Sequence, residues 1–197
     1  MSEIRNVCVY CGSADGRDPA HIAAATELGR LMAARGVGLV YGGGNTGLMG
    51  AVARATLEHG GHVTGIIPEF LKQREAMLKA AQELVVVPDM HTRKRLMFER
   101  ADAFVALPGG VGTLEELVEQ LTWLQLDQHV KPVLIADIGG FWRPLLSLFA
   151  HMREAGFIRP VTEVRYLVAE RVADILPMLE AAAARAPQGA KALSPEL

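Results

Sequence analysis

The chain has 197 residues, half of them apolar, and a formal net charge of −2 at neutral pH. This is ample material for the core of one domain, and the charge is too small for a nucleic-acid surface, because Lys and Arg are spread along the chain. No apolar run approaches the roughly 18 residues that a membrane span requires. The opening Met1-Ser2-Glu3-Ile4-Arg5 leads straight into a strand pattern with no secretory leader, so a cytoplasmic protein is the expectation.

In chain order, short apolar runs alternate with longer helical patterns. Strands are expected near 4–10, 37–41, 62–67, 83–87, 103–107, 132–136 and 164–168, and helices over 19–35, 47–60, 90–101, 113–127, 141–155 and 170–185. Several strands are apolar on both faces, as in Phe104-Val105-Ala106-Leu107 and Pro132-Val133-Leu134-Ile135-Ala136. Strands of that kind are covered by helices on either side. The alternation therefore predicts an α/β fold: a mostly parallel sheet of about seven strands with helices on both faces. No linker or repeat divides the chain, so 1–185 reads as one nucleotide-binding domain, and the aperiodic 186–197 reads as a disordered tail. The irregular stretch from Pro68 to Lys79 lies just past a strand's C-terminal end, where it could close over a ligand.

The two cysteines, Cys8 and Cys11, are spaced C-x-x-C. A redox dithiol or half a metal site is one reading, and a core residue with its strand-exit neighbour is the other. Zinc wants four ligands, and no second C-x-x-C or suitable His pair is present. Thioredoxin-like pairs open a helix, whereas Gly12, Ser13 and a polar loop follow here. The structural reading is preferred, with no metal and no cofactor expected.

Two glycine loops follow strands. Gly42, Gly44 and Gly47 satisfy G-x-G-x-x-G between a strand and a helix, where bare amides can approach a ligand. A dinucleotide site also wants an acidic residue about 20 positions on. Glu69 is only loosely placed for that and directly follows Pro68, so a nicotinamide enzyme is the lesser reading. The second loop, Pro108-Gly109-Gly110-Val111-Gly112-Thr113, opens a helix, and free amides with the helix dipole make an anion site. There is no G-x-x-x-x-G-K-[ST], which argues against a triphosphate-hydrolysing loop.

Thr113-Leu114-Glu115-Glu116 admits two readings. As T-x-x-E it is a capping box, with Thr113 as cap and Glu116 reaching back. Alternatively, a carboxylate about 5.4 Å behind a phosphate loop could face C1′ of a ribose and act in glycosidic cleavage. The preceding helix carries Met90-His91-Thr92-Arg93-Lys94-Arg95. Met90, Met97 and Ala101 form an apolar stripe that Arg93 and Lys94 flank, while Arg95 points away. An inward Arg93 needs an anion, either a substrate phosphate or Glu116.

Gly42-Gly43-Gly44-x-x-Gly47-Leu48-Met49-Gly50, Met90-His91-x-Arg93-Lys94 and Pro108-Gly109-Gly110-x-Gly112-Thr113-x-Glu115-Glu116, in that order, resemble the Lonely Guy (LOG) family. These are cytokinin riboside 5′-monophosphate phosphoribohydrolases. The resemblance runs from Val7 to about Val168 and includes Cys8-Val9-Tyr10-Cys11-Gly12-Ser13. It implies a Rossmann-like three-layer fold and hydrolysis of a nucleoside 5′-monophosphate to free base and ribose 5-phosphate. It implies Arg93 and Glu116 as the catalytic pair, and Gly109, Gly110, Gly112 and Thr113 around the phosphate. Ser13, Gly42, Gly43, Gly44, Met90, Lys94 and Glu115 would line the nucleotide, in at least a homodimer. No metal and no cofactor are implied. Asp89 and His91 are weak candidates for the general acid. The rivals are a general purine nucleotide nucleosidase and a non-catalytic nucleotide or cofactor carrier of the same fold. Family members are often labelled lysine decarboxylases, but none of Lys72, Lys79, Lys94, Lys131 and Lys191 sits in a recognisable pyridoxal setting.

Overall fold

The computed structural model describes residues 4–72, 77–159, 163 and 165–185. The expected tail at 186–197 lies outside them. Strands β1 (Asn6–Tyr10), β2 (Gly38–Tyr41), β3 (Val63–Pro68), β4 (Glu83–Val87), β5 (Ala103–Ala106), β6 (Val133–Ala136) and β7 (Leu167–Ala169) form one sheet in the order β4-β3-β2-β1-β5-β6-β7. Every neighbouring pair is parallel.

Helices α1 (Pro19–Ala34), α2 (Gly47–Glu58), α3 (Met90–Arg100), α4 (Val111–Gln125), α5 (Arg143–Glu154) and α6 (Val172–Arg185) make the crossovers. Two core clusters separate the faces. Val7, Val9 and Leu39 pack beneath α1, α2 and α6, and Cys8, Tyr10, Val40 and Phe104 pack beneath α3, α4 and α5. Alternate residues of β1 thus feed opposite layers, which is why that strand is apolar throughout. Among the described residues no helix is long and apolar enough to cross a membrane.

The chain runs outward from β1 to β4 and then returns to place β5 on β1's other side. The order reverses between β1 and β5, and the crevice beyond their C-terminal ends is where open α/β sheets take ligands. The residues there are Cys11-Gly12-Ser13 after β1 and Leu107-Pro108-Gly109-Gly110 after β5, joined by a hydrogen bond from Gly12 N to Pro108 O of 3.0 Å.

One expectation fails at this edge. Helix α4 begins at Val111 and not at Thr113, with Gly110 as its cap and no side-chain capping bond. Thr113 therefore stands inside the first turn, and the capping box does not form. The cysteine pair is structural: Cys8 and Cys11 are both free, buried and packed in different core clusters, and burial raises both thiols far above their ordinary range.

Candidate functional site

The site forms where the loops after β1, β2, β3 and β5 meet α3 and α4. Helices α1 and α3 begin on Asp18 and Asp89, each of which accepts a hydrogen bond from a first-turn amide. Helix α4 begins on Gly110 with no side-chain cap and no acid in its first turn. Side chains built on Gly110 or Gly112 would meet open space, so the amide-rich end of α4 faces a vacant approach. The dipole and unused N–H groups of such an end favour an anion.

Gly109 closes the loop against its neighbours: a methyl group there would run into the Thr113 hydroxyl and stand 2.8 Å from the Gly12 amide. We expect Gly109→Ala to raise KM for a nucleoside monophosphate tenfold or more, on the order of one or two lost hydrogen bonds. The same variant assayed on the unphosphorylated nucleoside should show no such change, and an equal loss on both would remove the phosphate assignment.

Arg93 and Glu116 face each other from α3 and α4. Their exposures are 8% and 9%, and Arg93 Nη1 lies 3.7 Å from Glu116 Oε1. At that distance the contact is an ion pair without a hydrogen bond. Arg93 is aimed by other groups: Nε donates to the Ile66 carbonyl at 3.2 Å, and Nη1 approaches Met90 Sδ at 3.8 Å. Gly42 lies against the guanidinium so closely that any side chain there would overlap Nη2. Glycine at 42 is thus needed for the arginine, and Gly47 for its left-handed backbone (φ +60°) beside Ser13.

Burial is the largest influence on Glu116, and it raises the carboxyl to about 7. Arg93 opposes it, Glu115 adds to it, Lys94 opposes it and Glu119 adds to it. Near neutral pH this carboxyl can therefore both hold and release a proton, which suits acid–base work.

The other predicted residues divide. Gly43 and Gly44 are buried beside the pair's loop, and Gly44 bridges to Met77 while Leu78 N donates to Gly43 O at 3.3 Å. The far end of the irregular stretch therefore packs on this loop; 73–76 lie outside the described residues. Met90 touches Arg93, and Ser13 is exposed at the mouth. Lys94 and Glu115 turn to each other: Lys94 Nζ binds Glu115 at 2.6 Å and Glu119 at 2.8 Å. Asp89 caps α3 through Thr92 N, and that bond lowers its carboxyl below the ordinary value, which disfavours it as a general acid. His91 is exposed. Glu69 pairs with Lys72 at 3.0 Å.

Sequence reading missed Glu119, the Ile66 carbonyl and Gln120. Gln120 is fully buried one turn beyond Glu116, with neither amide atom hydrogen-bonded among the described residues.

A family model described as a possible lysine decarboxylase matches residues 49–179. A probable cytokinin riboside 5′-monophosphate phosphoribohydrolase of Oryza sativa subsp. japonica is 45% identical over 180 residues, covering 91% of this chain and 74% of its own. A cytokinin riboside 5′-monophosphate phosphoribohydrolase of Arabidopsis thaliana is 44% identical over 179 residues, covering 91% and 83%. The chain belongs to the LOG family. Among solved structures, a molybdenum cofactor carrier protein from Chlamydomonas reinhardtii superposes with a TM-score of 0.69 at 22% identity, covering 93% of this chain and 99% of that one. The molybdenum cofactor binding protein of Rippkaea orientalis gives 0.65 at 21% identity, covering 89% and 94%. At that identity the likeness is one of fold.

The decarboxylase label of that family model finds no support in the lysines among the described residues. A Schiff-base lysine needs a lowered pKa; burial pushes Lys94, beside the site, downward, but its two glutamates together outweigh that and leave it raised. Lys131 is lowered by burial, but its ammonium is spent on the Phe98 carbonyl at 2.6 Å.

Proposed function

We propose that this LOG-family chain hydrolyses the N-glycosidic bond of nucleoside 5′-monophosphates, releasing a free base and ribose 5-phosphate. The carrying observation is the buried Arg93–Glu116 pair one helical turn behind an uncapped glycine-rich helix start. A protein that only bound phosphate would gain nothing from a carboxylate so near its loop, because the two anions repel.

The 5′-phosphate sits on the amides of Gly109, Gly110 and Gly112 and the Thr113 hydroxyl. That contact acts as a handle, supplying binding energy remote from the bond that breaks. The ribose extends toward Glu116. As the C1′–N bond breaks, its electron pair leaves with the base and positive charge develops at C1′, facing the carboxylate. Glu116 takes a proton from water as the new C1′–O bond forms and afterwards returns it to solvent, while the departing base gains a proton from solvent, so the net reaction adds one water. Arg93 keeps Glu116 aimed and favours its ionised form.

The names of the relatives point to adenine-type bases, with AMP and N6-prenylated adenosine monophosphates as the substrates to compare. The assay is kcat/KM for each monophosphate and for the matching nucleoside. Strong preference for the phosphorylated forms is expected. Equal rates on the nucleosides would sink the reading.

We further propose that the chain works as a homodimer joined through the outer surface of α4 and α5. Helix α5 has no buried residue although it carries five large apolar side chains, and Val118, Leu126 and Leu148 are exposed, with Val111 83% exposed on the phosphate loop itself. A second copy covering this face would place each site beside the partner. A Val118→Glu, Leu148→Glu variant should sediment as a monomer where the parent sediments as a dimer; unchanged mass would remove this face as the interface.

A further inference from the structure

We propose that Lys94 and Glu119 are positioning residues for the Arg93–Glu116 pair, forming a second bridge between α3 and α4 that sets the orientation of Glu116 and the balance of charge around it. The proposal rests on the reading of Glu116 given above, and its test separates the two.

Lys94 directly follows Arg93, and Glu115 directly precedes Glu116, so the two ion pairs lie side by side across one helix–helix contact. They differ in tightness. Arg93 and Glu116 stand 3.7 Å apart, whereas Lys94 Nζ binds Glu115 Oε1 at 2.6 Å and Glu119 Oε1 at 2.8 Å. The Lys94 side chain is only 14% exposed. Glu119 is the better covered of its partners, and it stands one turn beyond Glu115 on α4. The looser pair is therefore framed by a tighter one, and Lys94 braces α3 against α4 at the position where Arg93 must meet Glu116.

The charges around Glu116 come from three elements. Helix α4 contributes Glu115 and Glu119, and α3 contributes Arg93 and Lys94. Strand β1 and the residue after it contribute Cys8, Tyr10 and Cys11, which burial keeps neutral. Two cations thus face three carboxylates. The cluster is electrically balanced with one proton on a carboxylate, and the buried carboxylate that Lys94 does not bind is Glu116. Removing Lys94 leaves Glu115 and Glu119 uncompensated and makes Glu116 harder to ionise. Removing the charge of Glu119 makes it easier.

The measurements are the pH profile of kcat/KM on AMP and a 13C NMR titration of the glutamate side-chain carboxyls, with Glu116→Gln identifying the Glu116 signal. Lys94→Met should move the acid limb upward and Glu119→Gln should move it downward, each by about half a pH unit or more. The double variant should lie between them, and KM for AMP should change little. A merely structural brace would lower activity at every pH without moving the limb. Single variants that leave the limb and the Glu116 titration in place, or move both in the same direction, overturn the proposal. If nucleotide hydrolysis is absent, the NMR titration still decides: opposite shifts sustain the positioning role while the proposed reaction falls.

Discussion

Glu116→Gln is expected to lower kcat by about two to four orders of magnitude, the span typical of removing a positioned acid–base group, while the variant still folds. Its stability should also change with pH in a particular direction. The fold raises this carboxyl from 4.5 to about 7, so the protonated form is the one the fold favours. The contribution of Glu116 to stability is therefore fully present below pH 4.5 and is lost as pH rises through about 7. Glutamine never ionises. Chemical denaturation should show the variant gaining on the parent between pH 5 and pH 8 by on the order of 3 kcal/mol. A variant that loses turnover and shows a flat difference across that range would mean that Glu116 is ionised throughout.

Arg93→Met should have the second largest effect, and with the opposite sign of pH dependence. It removes the guanidinium that faces Glu116 and its hydrogen bond to the Ile66 carbonyl. Stripping one partner from a buried ion pair costs about 3–5 kcal/mol, because the remaining charge is uncompensated. That cost should appear near pH 8 and shrink toward pH 5, where a protonated Glu116 needs no partner. Turnover should fall with it, and the acid limb of kcat/KM should move above the parent's, since Arg93 is the largest influence holding the Glu116 value down. Equal destabilisation at both pH values would show that Arg93 acts through packing alone.

Much of this architecture was legible from the chain because its strands are apolar on both faces and its helices are long. The expected helix over 19–35 appears as Pro19–Ala34, and that over 90–101 as Met90–Arg100. The inward lean of Arg93 followed from helical spacing beside Met97 and Ala101, both of which are buried. The sequence places the start of α4 two residues late, because Gly112 disfavours a helix interior and Thr113-x-x-Glu116 has the composition of a capping box. In the fold Gly112 lies in a first turn that no side chain caps, and Glu116 turns to Arg93 instead of to the cap. The resemblance implies Lys94 at the nucleotide, and the fold adds its ion pairs with Glu115 and Glu119. Glu119 lies 25 positions from Lys94, and no local spacing reports a contact between two helices. The raised carboxyl of Glu116 was equally out of reach, since it comes from burial that only the packed α3–α4 layer creates.

The central claim is that one carboxylate drives cleavage of a glycosidic bond. Its most direct test is product analysis after incubating AMP or N6-isopentenyladenosine monophosphate with the parent chain and with Glu116→Gln. The parent should release free base and ribose 5-phosphate in equal amounts, and the variant should bind the nucleotide while releasing almost none. Binding without free base from the parent would make this chain a nucleotide carrier, and undiminished release by the variant would take the chemistry away from Glu116.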